Sequence, residues 1–92
     1  MANETADRFR VLLSCPDRRG IVAEVSRLLA EQGANVTAAA QFTDPASHQF
    51  FVRYEVETDS GSVTSTSLQA GLAAGLADLL QQPNAALTVR RA

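Results

Sequence analysis

The sequence predicts an α+β fold of order β-α-β-β-α-β, a ferredoxin-like four-stranded antiparallel sheet with two helices on one face. Three observations predict it. Apolar residues alternate with polar ones near Phe9, Phe50 and Leu87, as half-buried strands require. Two stretches, Ile21 to Leu29 and Leu68 to Leu80, carry apolar residues at helical spacing. Gly and Pro fall between these segments, where turns are needed.

Each element has its own signature. Phe9, Val11 and Leu13 alternate with Arg10, Leu12 and Ser14, and Pro16 closes this strand because it cannot donate to a sheet ladder. Ile21, Val25, Leu28 and Leu29 form one helical stripe with Val22 beside it; Glu24, Arg27 and Glu31 take the wet side. Gly33 supplies the left-handed stop. A second strand is expected from Ala34 to Thr43, at the sheet edge. In it Val36, Ala38, Ala40 and Phe42 share one face, and Asn35, Thr37, Ala39 and Gln41 the other. Asp44-Pro45-Ala46-Ser47 is a turn, short enough for an antiparallel hairpin. The third strand buries Phe50, Val52, Tyr54 and Val56, and turns Phe51, Arg53, Glu55 and Glu57 outward. Thr58 to Gly61 is a loop. The second helix carries Leu68, Leu72, Leu76, Leu79 and Leu80, and Pro83-Asn84 stops it. Gly71 and Gly75 inside it cost roughly 1 kcal/mol each relative to alanine, and their smallness lets the helix sit close to its neighbour. Ala86 to Arg90 is the last strand.

Composition sets the bounds. The 92 residues make one domain at 8–92 behind a flexible leader at 1–7, and 46% hydrophobic content suits a packed core. A net charge of −2 argues against nucleic acid or an anionic membrane surface as partner. All 8 basic residues are arginine. The single cysteine, Cys15, excludes an internal disulfide and any Cys-x-x-Cys metal cluster. It is expected to be a small buried hydrophobe, since the only histidine, His48, sits in a remote turn. No segment reads as a signal peptide or a membrane span, so a cytoplasmic location is expected. No cofactor is implied.

The most informative stretch is Ser14-Cys15-Pro16-Asp17-Arg18-Arg19-Gly20-Ile21-Val22, between the first strand and the first helix. A second signal, Gly33-Ala34-Asn35-Val36, opens the second strand. With these motifs the chain resembles an ACT domain, the amino-acid-sensing module attached to many metabolic enzymes. More narrowly, it is similar to the N-terminal ACT domain of formyltetrahydrofolate deformylases. Their Leu-Ser-Cys-Pro-Asp-Arg-Pro-Gly-Ile-Val signature stands here as Leu13 to Val22, with Arg19 in place of the proline. Their Gln-Phe-x-Asp and Phe-Phe-x-Arg stand as Gln41 to Asp44 and Phe50 to Arg53. The resemblance covers about residues 8–90. It implies a regulatory domain that binds a small amino acid such as glycine, serine or methionine and forms a homodimer by edge-strand pairing. It also implies a following catalytic domain that hydrolyses 10-formyltetrahydrofolate to formate and tetrahydrofolate, feeding purine synthesis and one-carbon metabolism. The catalytic Asn, His and Asp of that family have no counterparts here, so no catalytic residue is assigned. The chain is then either an excised domain or a free-standing relative.

The candidate ligand-binding residues are Asp17, Arg18, Arg19, Gly20, Ile21 and Asn35. Gly20 precedes a helix N-terminus, whose unpaired N–H groups and dipole favour an anion. They receive either an amino-acid carboxylate or water. Arg19 strengthens that anion site or is a solvated loop residue; as the first helical residue it would lack the preorganisation of proline. The Asn35 amide can both donate and accept, toward ligand at a dimer interface or in a local turn. Asp17 binds an ammonium or tidies the helix entry.

Two other functions compete. A free-standing ACT regulator would act through protein partners, although such proteins usually carry two copies and no internal repeat is present. A small ferredoxin-fold enzyme such as an acylphosphatase needs a glycine-rich phosphate cradle, which is absent.

Overall fold

The computed structural model describes residues 6–92. The elements run β1 (Ala6–Pro16), α1 (Ile21–Glu31), β2 (Asn35–Asp44), β3 (Gln49–Asp59), α2 (Ser65–Gly75), α3 (Ala77–Leu80) and β4 (Ala86–Arg91). The sheet is antiparallel in the order β2-β3-β1-β4, so β2 and β4 are its edges. This is the expected βαββαβ arrangement.

Alternation builds the core. Phe9, Val11, Leu13 and Cys15 on β1, and Phe50, Val52, Tyr54 and Val56 on β3, face the helices and are buried. They meet Ile21, Val25, Leu28 and Leu29 of α1, with Leu68, Leu72, Leu76 and Leu79 of the second helical segment. At roughly 1.5–3 kcal/mol per fully buried large apolar side chain, this one-sided stripe holds the layers together.

The second helix was expected to be continuous to Leu80. It breaks instead at Leu76, whose φ of −109° lies outside the helical range, and resumes as α3. Gly75 stands at the break, where the least helix-favouring residue short of proline weakens the ladder. Thr64 caps α2 with a reciprocal bond to Ser67: the Thr64 Oγ1 accepts the Ser67 N–H at 3.0 Å, and the Ser67 Oγ accepts the Thr64 N–H at 2.8 Å.

Three further expectations are corrected. The leader was placed at residues 1–7; residues 1–5 lie outside those described, but Ala6 and Asp7 pair with Asp59 and Thr58 in the sheet. The Asp7 carboxylate accepts the Gly61 N–H at 2.9 Å and the Arg91 guanidinium at 2.8 Å, which fixes the strand start. For the same reason Thr58 and Asp59 belong to β3 and not to the loop. The third correction concerns β2. Val36 pairs with buried Val56, whereas Ala38, Ala40 and Phe42 pair with Glu55, Arg53 and Phe51 on the open face. A bulge between Val36 and Ala38 adds one residue, and one extra residue flips every later side chain to the other face. The four residues therefore do not share a face.

Candidate functional site

The loop between β1 and α1 is held from both sides. Pro16 pairs with Gln49 at the end of the β1–β3 ladder. The next residue, Asp17, donates its N–H to the His48 carbonyl at 2.8 Å. The β2–β3 turn is therefore adjacent to the loop, and the placement of His48 as remote is corrected. The antiparallel register brings Asp17 and His48 together, although they lie 31 positions apart in sequence. That turn is itself rigid: the Asp44 carboxylate accepts the Ser47 hydroxyl at 2.6 Å and the Ser47 N–H at 3.2 Å, and the Asp44 carbonyl accepts the His48 N–H at 2.8 Å. The Ser47 hydroxyl and the backbone N–H bonds hold the Asp44 carboxyl below the usual carboxylate range.

Gly20 makes the corner. Its φ of 87° and ψ of 1° are left-handed, a conformation that glycine adopts without strain. Gly20 is the N-cap of α1, and its carbonyl accepts the Glu24 N–H at 2.9 Å. Arg19 therefore precedes the helix and is not its first residue. Its place is in the turn directly ahead of the left-handed Gly20, and proline is often found ahead of such a glycine because its φ is fixed.

No side chain caps α1, so Asp17 does not serve as the helix cap. The first N–H groups of the helix are left to solvent or a ligand. Asp17, Arg18, Arg19 and Gly20 are exposed around them. Arg18 is paired with Glu24 at 3.0 Å, which leaves Arg19 as the loop arginine without a carboxylate partner among the described residues. Ile21 is buried at 2% exposure, so only its N–H can face the loop. Cys15, just below, is fully buried, and that burial pushes its thiol pKa up, away from nucleophile chemistry.

Asn35 is not brought to this loop within one chain. It pairs with Glu57, while the loop lies beyond Gln49. Those two positions on β3 are separated by roughly 27 Å at about 3.4 Å per residue. Asn35 is exposed at the start of an edge strand whose side chains are exposed along almost its whole length.

One half of the open sheet face is polar: Arg10 pairs with Glu55 at 2.8 Å, Arg8 with Glu57 at 3.4 Å and Arg53 with Glu55 at 3.8 Å. The other half is apolar. Leu12, Phe42 and Phe51 are exposed there, and the two rings stack at 6.3 Å between centroids over a shallow depression of about 540 Å³. Leu12 and Phe51 could have been read from outward alternation; Phe42 could not, because the bulge reverses its side. Among the described residues no group of acidic, His or Cys side chains could hold a metal ion, and no helix is long and apolar enough to cross a membrane.

The family model of the ACT domain matches residues 9–68. The chain belongs to the ACT domain family. The match takes in β1, the loop, α1, the β2–β3 hairpin and the start of α2, so every candidate residue lies inside it. This ACT domain is 44% identical over 68 residues to a formyltetrahydrofolate deformylase of Bacillus subtilis, covering 73% of this chain and 23% of that protein. It is 38% identical over 60 residues to a formyltetrahydrofolate deformylase of Synechocystis, covering 65% and 20% respectively. It thus spans about a fifth of the length of these relatives. Among solved structures, the formyltetrahydrofolate deformylase of Pseudomonas syringae superimposes with a TM-score of 0.79 at 27% identity, over 92% of this chain and 27% of that one. It is a regulatory-type domain related to the ACT region of those enzymes.

Proposed function

We propose that this ACT domain is the amino-acid-sensing and dimer-forming module of a cytoplasmic formyltetrahydrofolate deformylase. Its binding state would govern hydrolysis of 10-formyltetrahydrofolate to formate and tetrahydrofolate, within one-carbon metabolism and purine synthesis. The enzyme assignment is supported by 44% identity to the Bacillus relative over 68 residues. The hydrolysis itself belongs to a catalytic domain and not to these residues.

The observation that carries the ligand reading is the separation of the two motifs. One polar end, the α1 N-terminus behind Gly20, offers N–H donors and a positive dipole for a carboxylate. The other, Asn35, starts the edge strand β2, whose far end borders the turn bonded to that loop. If the β2 strands of two copies pair antiparallel about a two-fold axis, the Asn35 end of each meets the Asp44 end of the other. Asp44 borders the His48 turn that is bonded to Asp17. Each site would then take its loop from one copy and its Asn35 from the second. A small amino acid such as glycine, serine or methionine suits such a site, its carboxylate on the loop and its ammonium near Asn35. A ligand shared between copies binds the dimer and not the monomer, and so strengthens it by linkage.

Calorimetry with glycine, serine and methionine tests the ligand half, and light scattering over a concentration series tests the dimer half. A folded sample that gives no heat with any of the three sinks amino-acid sensing. A sample monomeric at the highest concentration sinks the shared site.

A further inference from the structure

The two edges of the sheet are not alike. Gln69, half-buried on α2, reaches the outer edge of β4. Its Nε2 donates to the Leu87 carbonyl at 3.0 Å, and its Oε1 accepts the Val89 N–H at 3.2 Å. These backbone groups point away from the sheet. Alternate residues of an antiparallel strand turn their N–H and C=O inward and outward by turns. Ala92 donates inward to the Arg8 carbonyl at 3.0 Å, so Leu87 and Val89, of the opposite parity, face outward. One side-chain amide thus offers β4 the donor and acceptor that a neighbouring strand would offer. β4 is also short, at 6 residues, and bears Arg90 and Arg91, both of which blunt an edge.

β2 has none of these devices. It is 10 residues long, carries no charge from Asn35 to Thr43, and its middle is Ala38-Ala39-Ala40. Among the described residues no side-chain hydrogen bond closes its outer edge. A sheet with two free edges adds copies without limit, whereas one free edge related by a two-fold axis closes after a single pairing.

We propose that Gln69 is an edge plug: it closes the β4 side of the sheet, so that a second copy of this chain adds only at β2 and assembly stops at the pair. The proposal rests on the edge-strand dimer proposed above for its second half, and on the Gln69 contacts alone for its first.

Two measurements test it. In the wild-type chain, amide exchange at Val89 should be at least about tenfold slower than at Leu87, once each is corrected for its intrinsic rate. Both face outward, but only the Val89 N–H has a partner. Val89 exchanging as fast as Leu87 overturns the plug without any variant. Gln69→Met keeps side-chain length and helix propensity and removes both bonds. Sedimentation of this variant should show a mean mass that rises with concentration beyond twice the wild-type mass. A folded Gln69→Met that keeps the wild-type mass throughout overturns the proposal. A monomeric wild type beside a growing variant removes the β2 dimer and leaves the plug standing; a dimeric wild type beside a static variant does the reverse.

Discussion

The His48 carbonyl accepts the Asp17 N–H at 2.8 Å, and this bond joins the β2–β3 turn to the loop before α1. It fixes the loop at its first residue, while Gly20 fixes it at its last by adopting φ 87°. Only Arg18 and Arg19 lie between, and Arg18 is tied to Glu24. The loop is therefore set before any ligand arrives.

Arg19→Pro should stabilise the domain. Arg19 directly precedes the left-handed Gly20 in the turn, a place where proline's fixed φ is favoured. A compatible Xaa→Pro change stabilises by about 0.4–1 kcal/mol, chiefly by restricting the unfolded chain. Urea unfolding measures the gain. If amino-acid affinity is also unchanged in this variant, Arg19 has no part in the site; a drop in affinity with a gain in stability assigns its guanidinium to the ligand.

The two helix glycines should respond in opposite directions to alanine. A Cβ on Gly71 would fall on the amide end of the Gln32 side chain, which is half-exposed and can swing away. Gly71→Ala should then recover helix propensity, a gain of up to about 1 kcal/mol. A Cβ on Gly75 would lie 2.5 Å from the Leu28 Cδ2, in the buried layer between α1 and α2. Overpacking there should outweigh propensity and destabilise by about 1–2 kcal/mol. Equal and favourable changes in thermal unfolding would show that the helices can part without penalty.

The reading of these glycines as points of close approach was available from their spacing in a Leu stripe, and so were β1, α1 and β3. Each of those elements has one wet and one dry side, and period reports that contrast directly. β2 lacks the contrast, because its side chains are exposed on both faces. Its alternation could be counted, but the bulge after Val36 could not be seen. For the site, Gly20 marked the loop, since a strand must turn sharply into a helix there. The nearness of His48 came only from the β1–β3 register, and the distance of Asn35 only from chain direction. Gln69 gave no sequence signal at all, because one Gln on a helix looks like any wet-face residue.

Asp7 should make part of the stability acid-sensitive. The Gly61 N–H, and then the Arg91 guanidinium, hold its carboxyl below the ordinary value of 3.8. A depressed folded-state pKa contributes stability that is fully present above the unfolded value and lost as pH falls through the folded one. The stability gap between wild type and Asp7→Asn should therefore be constant from neutrality down to the ordinary carboxylate range and shrink progressively as the pH falls below 3.8. A gap that persists undiminished in acid would mean that the Asp7 bonds do not depend on its charge.

The shared site makes a prediction that no single-chain site can make. Arg19→Glu places a carboxylate where the ligand's own carboxylate would sit, and Asn35→Ala removes the amide at the other end. Each variant alone should form dimers that bind no amino acid. Mixing and refolding the two gives mixed pairs with two different sites. One joins the intact loop of the Asn35→Ala chain to the intact Asn35 of the Arg19→Glu chain; the other carries both lesions. An equal mixture yields about half mixed pairs, each with one working site, so binding should return to about a quarter of the wild-type stoichiometry at wild-type affinity. A site built within one chain predicts no recovery at any mixing ratio, because neither chain would hold a complete set. Calorimetric stoichiometry on the mixture separates the two cases, and a mixture that stays silent while its mixed dimers are visible by mass rules out sharing across the β2 edge.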